Sequence, residues 1–211
     1  MTNDRTTSST TENIMSTIHA PLPTTPGATT GVTSTRHTTA LARVAGAMRL
    51  SIGFVFLWAF LDKTFALGFD TGKVTKGAIT TTTRFGDAAW IHGGSPTSGF
   101  LGHAASGPFA SFYNSFAGAA WADWLFMLGL LGIGAALMLG IGMRLATISG
   151  AVMLVLMWSA VLPPANNPFM DDHLIYALGL IVLTLIGAGK TFGFGRRYEA
   201  LPLVAHHDWL K

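Results

Sequence analysis

The sequence predicts an all-α membrane protein: a four-transmembrane-helix bundle with a long external loop after the first helix and a disordered N-terminal tail. Three observations carry that expectation. Half of the 211 residues are hydrophobic and only 11% are charged, against roughly 25% charged in soluble domains, so the chain lacks the polar residues to cover a water-facing surface. Four apolar runs have about the length a bilayer core demands. Lysine and arginine are unevenly divided between the two sides that those runs define.

Taken in order, residues 1–39 contain fourteen threonines and no sustained apolar run. Such a segment cannot bury enough surface to offset the entropy of ordering it, and is expected to be disordered. It has no apolar core followed by a small-residue cleavage site, so it does not read as a secretory signal, and Met15 is an alternative start. The membrane domain is expected over 40–197, with spans at about 44–61, 121–143, 145–162 and 173–189. A helix needs roughly 17–25 residues to cross a hydrocarbon core ~30 Å thick. Arg49 alone interrupts the first run, and only Arg144 separates the second from the third. A single helix from Trp124 to Leu162 would be about 58 Å long, nearly twice the core. The chain must therefore turn at Gly140-Ile141-Gly142-Met143-Arg144.

The external loop is expected over 62–120. Its glycines, the Thr80–Thr83 tract and Gly93-Gly94-Ser95-Pro96 are turn chemistry. Phe109, Phe112, Tyr113 and Phe116 follow Gly107-Pro108 at helical spacing, which suits a short helix on the membrane surface or over the bundle. Gly132, Ala136 and Gly140 form a small-residue ridge for close helix packing, with Ala146, Gly150, Gly179 and Gly187 as further candidates. Residues 198–211 complete the chain as a C-terminal tail.

Orientation follows from charge. Four spans place both ends on one side with Arg5, Arg36, Arg43, Arg49, Arg144, Lys190, Arg196, Arg197 and Lys211. Lys63, Lys73, Lys76 and Arg84 lie on the other. The positive-inside bias then puts both termini in the cytoplasm of a multi-pass plasma-membrane protein. The same placement accounts for the net charge of +3 without a nucleic-acid partner. There is no cysteine, which excludes disulfides, thiolate cluster ligation, c-type haem attachment and thiol catalysis. Gly187-Ala188-Gly189-Lys190-Thr191 resembles the end of a phosphate-binding loop, but the first required glycine is Thr184 and no strand precedes it.

Alternating spans bring four helix ends together at the outer face. These carry Trp58, Asp62 and Lys63; Trp121, Asp123 and Trp124; Trp158, Pro163 and Pro164; and Asp171, Asp172, His173 and Tyr176. An aromatic belt is the plain reading of the tryptophans. The cytoplasmic ends, however, carry none before Trp209, so a one-sided cluster with carboxylates and a histidine also reads as a site. Asp123 and Asp171 suit helix capping. Asp62 stands at a helix C-terminus, where negative charge is unfavourable, and needs a partner such as Lys63, His173 or a loop cation. An imidazole exchanges protons near neutral pH, which makes His173 a shuttle, with His92 and His103 as possible associates. No ligand spacing such as H-x-x-x-H is present, so no metal site is expected. Arg49 either snorkels to the inner headgroups or pairs within the bundle.

The run from Leu50 to Lys63, then Trp121-Ala122-Asp123-Trp124, then Leu162-Pro163-Pro164 and Asn167-Pro168-Phe169-Met170-Asp171-Asp172-His173, resembles the DoxX/DoxD family over roughly Leu41 to Arg197. The resemblance implies a four-helix plasma-membrane protein. The best-known members are membrane subunits of thiosulfate:quinone oxidoreductase, in which a second chain completes the complex. It also implies a membrane quinone as cofactor, a second protein subunit as partner and a small sulfur compound such as thiosulfate as electron donor.

A quinone headgroup needs aromatic walls and a proton path. Trp58, Trp158 and Trp124 are the expected cofactor-binding residues. Asp62, His173 and Asp172 are the expected catalytic ones. No haem, flavin or iron–sulfur ligand set is visible in the chain. A membrane scaffold for a partner redox enzyme, with 62–120 as its docking surface, is the second reading. A small-solute transporter ranks third, because no paired broken helices or repeat halves appear.

Overall fold

A computed structural model describes the backbone of residues 30–211 and the side chains of residues 38–211. Residues 1–29, with Met15 and most of the expected tail, lie outside the described residues. The chain is mostly helical, and its long helices are α1 (Thr30–Phe65), α4 (Ala120–Leu139), α5 (Met143–Ala160) and α6 (Asp172–Leu185). Helix α1 thus begins within the segment expected to be disordered. Three helical stretches are long and apolar enough to cross a membrane: Thr38–Phe65, Ala120–Leu139 and Met143–Ala160. Helix α6 is apolar but has 14 residues, about 21 Å at 1.5 Å per residue.

These four helices share one core, with Ile52, Phe56, Met127, Leu130, Ile133, Leu137, Leu154, Leu180 and Leu183 buried together. Their order alternates up and down. A Cβ built on Gly134 would lie 2.8 Å from the Leu57 backbone nitrogen and one on Gly53 would lie 2.8 Å from the Leu137 Cβ, so α1 runs antiparallel to α4 in near-backbone contact. Gly150 of α5 faces Leu180 of α6 and Ile133 of α4, and Thr147 bonds Thr184 at 2.5 Å. Small residues therefore set the helix spacing, as in other membrane bundles. The ridge differs from the expected one, since Gly132 is exposed with nothing near it and Gly134 makes the contact.

The turn after α4 falls where the sequence placed it. Gly140 closes α4 at φ +71° and Gly142 opens α5 at φ +55°. Gly140 is constrained twice over: its conformation is left-handed, and an added Cβ would sit 2.5 Å from the Gly189 carbonyl oxygen. Gly140→Ala is expected to cost about 2 kcal/mol or more through the left-handed backbone and the clash together. A lowered detergent unfolding midpoint would register the loss, and an unchanged midpoint would refute the argument.

Residues 62–120 form a folded cap on the end of the bundle where α1 finishes and α6 starts. The cap contains an antiparallel hairpin, β1 (Lys73–Lys76) with β2 (Ile79–Thr82), in register Lys73 to Thr82 and Lys76 to Ile79. The fold is accordingly not purely α. Helices α2 (Pro96–His103) and α3 (Ala110–Asn114) follow, the latter in the aromatic stretch expected to be helical. The cap is tied to α5: Ser106 N–H donates to the Ala160 carbonyl at 2.8 Å, and buried Tyr113 bonds Ser159 at 2.6 Å. At the opposite end, α7 (Gly195–Glu199) and α8 (Pro202–Ala205) turn the expected C-terminal tail back onto α5, where Arg144 N–H donates to the Lys211 carbonyl at 2.8 Å.

Candidate functional site

Asp62 sits in the last turn of α1 and is 2% exposed. Its carboxylate accepts three backbone N–H groups from the following loop: Phe69 at 3.2 Å on one oxygen, Asp70 at 3.1 Å and Thr71 at 2.8 Å on the other. The partner that a negative charge at a helix C-terminus requires is therefore a nest of amides. None of the cations proposed from the sequence fills that place. Lys63 bonds Asp70 at 2.7 Å instead, and no contact joins Asp62 to His173 among the described residues. Asp62 thus anchors the loop that leaves α1.

Asp123 works in the same way across two helices. It is buried, and one oxygen accepts Ser95 Oγ at 2.9 Å, Thr97 N–H at 2.8 Å and Thr97 Oγ1 at 2.6 Å. Asp123 belongs to α4, yet it caps the N-terminus of α2. Capping was expected of it, but of its own helix. Ser95, the N-cap of α2, accepts Ser98 N–H at 3.1 Å and completes the joint.

Asp171 is the N-cap of α6, accepting Leu174 N–H at 3.2 Å as expected. Its second oxygen bonds His173 Nδ1 at 2.7 Å, while Asp172 lies 3.5 Å from the same nitrogen and its side chain is 71% exposed. The three residues offer ligand atoms within 4.8 Å of one another. Both Asp171 oxygens and His173 Nδ1 already serve the cap and the pair, so a carboxylate–imidazole dyad describes them better than a metal centre. Asp171 fixes which imidazole nitrogen faces the carboxylate, and Nε2 has no protein partner among the described residues. Of the two aspartates, Asp171 is thus the closer to His173, and Asp172, the one expected to act with it, is the farther. The Asp-Asp-His run before an apolar helix was the signal for it, because an aspartate at the N-cap can reach an imidazole two residues on.

The three expected cofactor-binding tryptophans stand apart, each against an aromatic ring of a connecting segment. Trp58 is half-buried, edge-on to Phe69 at 5.0 Å. Trp158 is edge-on to Phe169 at 5.2 Å and donates its Nε1–H to the Phe169 carbonyl at 2.8 Å. Trp124 meets Trp90 at 4.7 Å and is 57% exposed, the arrangement of a membrane-interface ring. Trp121, also exposed, packs on Phe116 at 5.5 Å. Trp158 comes nearest the dyad along the chain, because Phe169 directly precedes Met170 and Asp171.

The sequence left the role of Arg49 open between snorkelling and pairing. The structure buries it completely. Its Nη1 donates to the carbonyls of Leu137 and Met138 in the last turn of α4, and its Nη2 to those of Thr191 and Phe192 at 2.9 and 3.0 Å. No carboxylate pairs with it among the described residues. The orphan carbonyls and negative dipole end of α4 take that place. Comparison of the chain with family models, with curated proteins and with solved structures finds no match.

Proposed function

We propose that the protein is an integral membrane oxidoreductase subunit that handles a quinone at the capped end of its bundle, with His173 and Asp171 as the proton relay. Four membrane spans carry the reading, with α6 and the turn through Lys190 as the short fourth. Both termini and the cations near them are then cytoplasmic, and the cap is outside the plasma membrane. The observation that carries the proposal is the His173–Asp171 dyad at the start of α6, with Nε2 left over for a ligand. Trp158 and Phe169 supply aromatic surface next to it in the chain. Resemblance to the DoxX/DoxD family supports the same assignment.

Reduction of a quinone to a quinol takes two electrons and two protons. His173 Nε2–H would give one of these protons, with Asp171 holding the ring, and solvent at the outer face would supply the second and replace the first. The two electrons would come from a small sulfur compound, two thiosulfate ions losing one each as they join through a new S–S bond to tetrathionate, directly or through a second subunit. Asp172 tunes the dyad from its exposed position.

Detergent-purified wild-type protein is expected to carry stoichiometric quinone, which Trp158→Ala loses. His173→Ala should keep the fold and slow quinol formation by about 10²-fold or more, the usual weight of a general acid. Asp171→Asn retains the N-cap and should show a smaller loss. Wild-type protein that carries no quinone but retains another protein would transfer the assignment to a membrane scaffold. One observation favours that second reading: both strands of the hairpin are exposed on every residue, which leaves a ladder edge open to a partner strand.

A further inference from the structure

The opposite end of the bundle holds a cleft that the quinone reading does not use. It is a shallow, open cleft of about 480 Å³ whose lining includes Arg43, Lys190, Thr191, Phe192 and Arg196. Three segments far apart in sequence converge on it: α1, the turn after α6, and α7. Each brings a cation. Lys190 is paired with Glu199 at 2.9 Å. Arg43 and Arg196 have no acidic partner among the described residues. Guanidinium forks match the oxygens of a phosphate bidentately, and both of these line the same cleft.

Two further observations say what kind of anion. The carbonyl oxygens of Thr191 and Phe192, which would repel it, are committed to buried Arg49 on the far side of that turn. The apolar residues beside the cations are outward-facing: Leu41, Val44 and Phe192 are 59%, 67% and 59% exposed. Arg43 directly precedes the apolar run of α1. The cations thus stand where hydrocarbon gives way to headgroups, the setting in which basic pockets between helices hold anionic lipids.

We propose that the Arg43–Lys190–Arg196 cleft binds a phosphate group, carried by an anionic phospholipid whose acyl chains lie along the exposed apolar face of α1. The site rests on the membrane placement proposed above and is independent of the quinone chemistry. Fractionation of the full-length protein with membranes checks that placement first, so a failure there is separate from a failure of lipid binding.

Native mass spectrometry of the detergent-purified chain then compares phosphatidylglycerol with phosphatidylcholine of the same acyl composition. Wild type is expected to retain phosphatidylglycerol about thirtyfold better, on the scale of two headgroup-depth cations. Arg43→Gln combined with Arg196→Gln should remove that preference. Lys73→Gln combined with Lys76→Gln, which deletes the same charge from the exposed hairpin, should keep it. Should the first double variant fail to accumulate, each single substitution carries the same comparison. Equal retention of both lipids by wild type, or equal preference in both double variants, overturns the proposal. A separate arm adds inorganic phosphate alone. If millimolar phosphate displaces the lipid and raises the melting temperature only when Arg43 and Arg196 are present, the lipid source is overturned in favour of a soluble phosphate.

Discussion

Asp62→Ala is expected to detach the loop that follows α1 and to lower the unfolding free energy by about 3 kcal/mol or more. Three amides in partly buried bonds lose their acceptor together, at roughly 1 kcal/mol or more for each. Their position makes relief by water difficult, since the carboxylate they surround is 2% exposed. Asp62→Asn should do little better. It keeps one acceptor oxygen but turns an NH₂ group toward N–H donors that the second carboxylate oxygen now accepts. The same loop positions Asp70, so its bond to Lys63 is lost with it. Lys63 has a side chain only 12% exposed in the wild type, and trypsin should cut after it in the variant and not before. Normal melting and normal protection of Lys63, combined with lost quinone turnover, would support the catalytic role expected of Asp62 and defeat the anchoring argument.

The case of Asp62 also shows what a sequence reveals of such a site. That a carboxylate at a helix C-terminus needs compensation was legible from its position. The compensating groups were not, because they are backbone amides of Phe69, Asp70 and Thr71, and any residue type can supply an amide. Asp123 repeats the lesson: its charge and its nearness to a helix start predicted a cap, and only the folded cap shows that the capped helix is α2. The turn at Gly140 and Gly142 was legible because composition leaves one solution when two apolar runs abut. The hairpin was readable as turn chemistry alone, although Lys73-Val74-Thr75-Lys76 and Ile79-Thr80-Thr81-Thr82 carry the β-branched signal of strands around a two-residue Gly77-Ala78 turn. The tryptophans were correctly assigned to one end by the alternation of helices. Their separation there depends on Phe69, Trp90 and Phe169, loop residues whose positions no helical periodicity encodes.

Arg49 carries the second large effect, and it concerns the other end of the bundle. Arg49→Met, which keeps the length of the side chain and removes its donors, is expected to cost about 3–5 kcal/mol, because four carbonyls are left without a donor at roughly 1 kcal/mol or more each. That is a large part of the 5–15 kcal/mol typical of a folded domain. Four carbonyls lose their donor in one step, two at the end of α4 and two in the turn that holds Phe192 at φ +56°, a conformation that costs a non-glycine residue about 1 kcal/mol or more. The turn has no reason to stay so once its carbonyls are released. Arg49→Lys retains the charge, but a single ammonium cannot span both carbonyl pairs as the two arms of a guanidinium do, so it should recover only part of the loss. Unfolding midpoints in detergent rank the three proteins, and amide exchange at Thr191–Gly193 reports the turn directly. A methionine variant as stable as wild type, with that turn still protected, would mean that the helix end and the turn are held by packing alone. The surroundings argue otherwise: Gly193 lacks a Cβ that would stand 3.1 Å from Nη2, and Gly140 one that would stand 3.2 Å from Nη1. A charge that hydropathy would remove from a membrane helix is kept because the chain has been shaped, from two sides, to receive it.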